Sequence, residues 1–456
     1  MSSTRTPWRR AARASLLAVA AVAATAGPSA AHFAMPKSVD FLPRPGHPND
    51  LYLEVSFGLL ESHDAGATWQ YYCEDPIQGV GYAGMFIPDM AISSTNTLFA
   101  TTIIGLRARR DGCTFEATQF GENFIAQVTV APDGTVYAAA ANGVPPDSTI
   151  YKSTDDGVTF TPAGATTPGD EAGWTSLEVA PSDAQRVYIT GYRLVNGARV
   201  VTMYRSDDAG ASWTPLSTAD FAFTANSDVV ITSISPDDPD FLIARMTHRI
   251  AADADSIYRS TNAGQTWTKV KDFDSNALGI VIRKLTGAGP AATKAQVLIG
   301  AGPSGVWASS DGGQTFTKNA ATSELLCLRE HGGQLYGCND SKNDSTVMAL
   351  GSSADAVDFS SMVKFRDITS ITSCPSGTIV HDQCELVRWC FVRDLYGITA
   401  NPTNCSVATD AGITPDAGIT PDPPTSCCFA GGASAANGLI GVLAVAPWLR
   451  RRRRRS

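Results

Sequence analysis

The chain has 456 residues, 43% of them hydrophobic, enough for one large core or several smaller ones. Only 17% are charged while Gly (40) and Pro (26) are plentiful, a mix that suits short strands and many turns and argues against long surface helices. Ten of the 35 basic residues are arginines of the two termini, so the body sets 25 basic against 44 acidic residues; that net charge of -19 repels phosphate backbones and argues against nucleic acid as a partner.

Residues 1–31 read as a secretory signal peptide. Basic Arg9, Arg10 and Arg13 flank or precede an apolar run from Leu16 to Ala26, and Ser29-Ala30-Ala31 offers small residues for cleavage.

From residue 32 to 370 one eight-residue pattern returns: Ser, any, Asp, any, Gly, any, Thr or Ser, then Trp or Phe. Full copies carry Asp64 and Trp69, Asp155 and Phe160, Asp208 and Trp213, and Asp311 and Phe316; another has Asn262 before Trp267. A weaker copy, Ala108 to Phe115, has Arg110 where Asp belongs, and Ser353-Ala354-Asp355 with Phe359 is a decayed seventh. The aromatics recur every 43 to 54 residues, the length of one four-stranded propeller blade. Alternating residues before each box, as in Ile150-Tyr151-Lys152-Ser153, mark a strand. Asp hydrogen-bonds its own turn, and Gly supplies a positive φ. The expected architecture is therefore all-β, a propeller of seven four-stranded blades, with the boxes serving the fold.

The pattern resembles the Asp-box (BNR) propeller group, which includes sialidases, xyloglucan-cleaving glucanases, sortilin-type receptors and photosystem assembly factors. That resemblance implies a fold and leaves function open. A sialidase-like site would need three arginines and a Tyr–Glu pair. Arg44 is displaced from the aromatic of the family motif, and Arg205 and Arg259 flank boxes on strands expected to be exposed. A glucanase-like site would need opposed carboxylates; Asp40, Asp89, Asp228 and Glu324 stand at first-strand or loop positions, with no pair singled out. The six histidines show no metal-binding spacing. No catalytic residue, metal or cofactor is assigned.

Eight cysteines suit an oxidising compartment. Cys327 and Cys338 fall on neighbouring strands of the last blade and can pair, and Cys73 with Cys113 could join the first two blades. Cys374, Cys384, Cys390 and Cys405 lie within 371–408 and suggest a small disulfide-stapled cap. Residues 409–426, with two copies of Asp-Ala-Gly-Ile-Thr-Pro, read as an extended linker. In 427–456, Cys427 and Cys428 precede an apolar stretch, Phe429 to Leu449, long enough to cross ~30 Å of hydrocarbon as a helix, and then Arg450 to Arg455. This arrangement resembles the C-terminal sorting tags of myxobacterial surface proteins, and the resemblance implies processing or anchoring at Cys427 or Cys428. The whole reads as an exported, surface-anchored binding module for a glycan or protein, held to the membrane by its C-terminal segment. The alternatives are a glycoside hydrolase and an assembly or scaffolding factor.

Overall fold

The structure is a computed structural model. It describes residues 37–398 except 81, 83–85, 144–145, 165–167, 170, 225–226, 249–253, 285–293, 320–323 and 340–343. The signal segment, the linker, Cys405, Cys427, Cys428 and the apolar stretch lie outside the described residues, among which no helix is long and apolar enough to cross a membrane.

Seven antiparallel sheets follow one another along the chain, spanning 38–73, 90–117, 125–162, 173–215, 227–273, 279–318 and 325–364; they are blades 1 to 7. Each has four strands in chain order, the first innermost, and in blade 3 a short separate hairpin, Asn142–Gly143 with Pro146–Asp147, comes between the second and third. The second strands are covered on both sides by neighbouring blades and so read as continuous apolar runs: Leu51–Val55, Leu98–Thr102 and Val136–Ala140 are buried throughout. The outermost strands Thr214–Pro215 and Thr317–Lys318 are exposed throughout. Apolar clusters fill the seams, as where Met203 and Tyr188 of blade 4 meet Ile231, Leu242 and Trp267 of blade 5.

Inner strands converge at the axis. A Cβ on Gly279, in the first strand of blade 6, would stand 2.8 Å from the backbone of Cys327 and Leu328 in blade 7. The inner strands also tie themselves together. The Val128 amide donates to Asp89 of the preceding blade, Ile231 to Ser176 and Ile282 to Ser233.

The four main strands of every blade come from one contiguous stretch of chain, so no four-stranded blade is itself assembled from both ends. At the blade 7–blade 1 seam, Arg329 pairs with Asp40 at 2.6 Å, Tyr336 stacks on Phe41 and Ser38 donates to the Ala349 carbonyl. On the outside, Ser370–Ile371 joins blade 1 as a fifth strand, parallel to Gln70–Cys73. A helical stretch, Val380–Arg388 then Trp389–Tyr396, follows it. Tyr396 packs on Phe57, and Trp389 on Tyr71.

The cysteines correct the sequence reading. Cys327 pairs with Cys338. Cys73 and Cys113 do not join each other: Cys73 bonds Cys384 and Cys113 bonds Cys374. The cap is thus clasped to blades 1 and 2 rather than stapled only within itself. The reason is the added strand, which carries the cap along the outer edge of blade 1 to both cysteines. Cys390 is also disulfide-bonded.

Candidate functional site

The box turns hold most of the motif residues. Ser62 donates to Asp64, whose carboxylate accepts the Thr68 amide at 2.9 Å and the Thr68 hydroxyl at 2.6 Å; the Gly66 amide donates to Ser62. The same network surrounds Asp155, Asp208 and Asp311. Asn262 reproduces it with an amide, accepting the Thr266 N–H and donating to its hydroxyl. Two successive residues take positive φ, Ala65 (59°) then Gly66 (90°), so the strain falls on an alanine or aspartate as well as on the glycine. Hydrogen bonds from Thr68 hold Asp64 below the usual carboxylate range. At Asp311 burial pulls upward, but bonds from Ser309 and Thr315 win and bring it down to about 2. Trp69 and Trp267 each donate an indole N–H to the glycine carbonyl of their own box; Phe160 is buried, while Trp213 and Phe316 are half-buried. In the weak copy the missing aspartate is replaced by its neighbour: Asp111 accepts the amides of Cys113 and Thr114.

A second recurrent device was not apparent in the sequence. A basic side chain from one blade reaches the next blade's box and donates to the carbonyl of its first positive-φ residue. Arg110 donates to Asp156, Lys152 to Ala209, Arg205 to Ala263 and Arg259 to Gly312. Arg205 and Arg259 are therefore struts between blades, not the exposed residues expected, and the Arg205 side chain is only 14% exposed. Arg44 is likewise engaged, with Asp50 and the Ser94 carbonyl.

Of the four carboxylates considered, two meet. Asp40 and Asp89 lie at the axis, joined by Glu178 of blade 4 and Arg329 of blade 7, with Glu54 buried behind Asp40. Burial, with Asp40 nearby, pushes Asp89 and Glu178 up to about 7; Arg329 draws both the other way. Asp228 sits elsewhere, buried against Arg199 at 2.5 Å. Glu324 precedes the first strand of blade 7. Among the described residues no His, Cys, Asp and Glu cluster has the geometry to hold a metal ion.

The most distinctive surface element is in blade 4. Its second and third strands, Asp183–Val195 and Ala198–Ser206, run far beyond their counterparts and close through an Asn196-Gly197 turn with both φ positive. In this up-and-down topology second-to-third strand turns emerge on the face opposite the boxes. Two ion pairs fix the hairpin's root. Arg193 and Tyr204 converge on fully buried Glu171 at 2.9 and 2.6 Å, and Arg199 stacks 3.3 Å from the Tyr192 ring while holding Asp228. Above that root the tip exposes Leu194 (55%), Val195 (49%) and Val200 (47%). A rigid stem carrying bare aliphatic side chains suits contact with another molecule. Nothing in the motif spacing marked it, the stretch from Gly173 to the blade 4 box being as long as that from Ser227 to the blade 5 box; the sequence signal is the Asn196-Gly197 pair between two strand-forming runs.

Similarity to known proteins lies in the fold. An ancestral GH74 enzyme aligns with a TM-score of 0.51 at 14% identity, over 72% of this chain and 47% of that one. YCF48 from Cyanidioschyzon merolae aligns at 0.44 and 13% identity, over 66% of this chain and 92% of that one. This chain thus spans about half the length of the GH74 enzyme. No family model matches the sequence, and no curated protein is significantly similar to it.

Proposed function

We propose that this is an exported, surface-anchored propeller of the Asp-box group that works as a non-catalytic binding module, engaging its ligand on the face opposite the boxes. The observation that carries the reading is the blade 4 hairpin, whose ion pairs to two buried carboxylates, Glu171 and Asp228, preorganise an exposed aliphatic tip. Binding gains when a contact element is already rigid, since little entropy remains to be lost.

The carboxylates support the same reading. Asp89 accepts a neighbouring blade's amide exactly as serines do in two other seams, Asp40 is held by Arg329, and Asp228 by Arg199. Each has a structural partner. A signal peptide, an acidic linker and a cysteine-preceded apolar segment ending in six arginines support export and retention at the cell surface. The disulfides to blades 1 and 2 fit an oxidising compartment.

Glycan-array binding of the purified chain, with every hit assayed for hydrolysis, tests this. Binding without turnover, or binding only to a protein ligand, is expected. Turnover of a bound glycan would make the chain a hydrolase and overturn the reading.

A further inference from the structure

The axis of the ring gathers charge from four blades. Asp40 is on the first strand of blade 1, Asp89 immediately precedes that of blade 2, and Glu178 and Arg329 are on those of blades 4 and 7. Blades 4 and 7 are not neighbours, so groups from both interact only across the axial channel. Glu54, the cross-strand partner of Asp40, completes the set; it is 3% exposed, and its Oε1 has no hydrogen-bond partner. Three carboxyls therefore surround one guanidinium, with Glu54 as a fourth beside Asp40 and Asp89, and the guanidinium donates two hydrogen bonds to Asp40.

The remaining elements do not neutralise the excess. Blade 3 brings neutral Gln127 on its first strand. In blade 5, Asp228 is taken by Arg199 of the hairpin. In blade 6, Arg283 bonds the Gly333 and Ala354 carbonyls and lies 4.0 Å from Glu330, beside which His331 is held below its usual range by burial. With all four carboxyls ionised, the axis would carry a net charge of -3. Like charges confined by protein walls resist ionising together, so some of them must hold protons at neutral pH.

We infer that the axial carboxyl cluster is a pH-sensitive latch on the blade 7–blade 1 seam: protonated it lets Arg329 and Asp40 clamp the ring, and ionised it draws Arg329 away and loosens that seam. The clamp is exposed to this competition because the inner seam has no shared strand; Ser370–Ile371 and the disulfides hold blade 1 only at its outer edge. Its inner side-chain contacts include Arg329 with Asp40, Tyr336 with Phe41, and Ser38 with Ala349, and Thr369 bonds the Trp69 backbone farther out. The Arg329 side chain is 46% exposed.

The sign follows from linkage. Asp89 and Glu178 hold protons to about pH 7 in the folded ring, against about 4 in the unfolded chain. Their contribution to stability is therefore complete below about pH 4 and lost as pH rises to about 7.

The test is thermal unfolding of the full chain from pH 4 to 9, compared with Asp89→Asn, Glu178→Gln and the double variant. The asparagine can still accept the Val128 amide. Relative to the double variant, the wild-type Tm should fall by about 5 °C between pH 5 and pH 8, and hydrogen exchange in Ser38–Pro43 and Leu325–His331, corrected for intrinsic rates, should quicken in the wild type alone. A constant Tm difference across that range overturns the inference. Infrared difference spectra of the wild type keep it testable if the variants fail to fold: a protonated-carboxyl band that disappears between pH 6 and 8 supports it, and no such band at pH 6 refutes it.

Discussion

The clasp between the C-terminal cap and blades 1 and 2 sets a measurable share of the ring's stability. Replacing Cys73 and Cys384 with serine removes one of its two bonds, both sulfurs being fully buried. Taken alone, that bond closes a separation of 311 residues, worth about 5 to 6 kcal/mol in the chain-entropy estimate. Cys113–Cys374 remains, however, and already brings the two ends together. The loop that opens is then only the path from 73 to 113 plus that from 374 to 384, about 50 residues, worth about 4 kcal/mol. Divided by the unfolding entropy of a domain of about 360 residues, this lowers Tm by about 5 °C. Calorimetry of the oxidised variant measures it, and reductant should lower the wild type at least as far. Protease should also cut within 372–398 sooner in the variant than in the parent. A variant melting within about 1 °C of the wild type and equally resistant there would show that the cap does not hold the ring.

Three further outcomes follow from the boxes, the struts and the hairpin. Asp311→Asn should cost little at pH 7, because Asn262 supports the same turn, and it should abolish the loss of stability that the wild type shows from this group as pH falls from about 4 to 2, a difference visible in acid denaturation curves. The sign is that of a depressed carboxyl: its contribution is present above the unfolded value and lost as the folded group protonates. Arg259→Ala deletes a charged bond across the blade 5–blade 6 seam and should cost about 1.5 to 3 kcal/mol in urea unfolding; a cost below about 0.5 kcal/mol would deny the strut its role. Leu194→Ser with Val195→Ser should leave Tm unchanged, since both are exposed, while weakening ligand binding in calorimetric titration at least tenfold.

The seven-blade plan was legible because each box repeats a local solution: an aspartate that satisfies its own turn and an aromatic that enters the seam with the preceding blade. Even where the pattern decays the chemistry persists, through Asp111 in blade 2 and Asp355 in blade 7, which accepts Ser353 and the Val357 amide. Long-range pairings were not legible. Cys73 and Cys113 lie one blade apart, and nothing in their spacing distinguishes a bond between them from bonds to a cap some three hundred residues later. The struts were hidden for a similar reason. Arg205 and Arg259 stand on outward strand positions, and only the wedge angle between blades brings the next box within reach. Asp40 and Asp89 were noticed as carboxylates, but their meeting with Glu178 and Arg329 depends on ring closure, a property of the whole circle. The hairpin is not legible because the box aromatics of blades 4 and 5, Trp213 and Trp267, follow their predecessors at nearly equal spacing whether the intervening chain is loop or strand.

The most direct test of the binding reading compares the wild-type chain with the Leu194→Ser, Val195→Ser, Val200→Ser variant on one set of immobilised glycans and proteins, with product analysis for every ligand retained. At least one ligand should be held unaltered by the wild type and lost by the variant at equal stability. Equal binding by both proteins, or chemical conversion of the retained ligand, would contradict a non-catalytic module that docks through the hairpin.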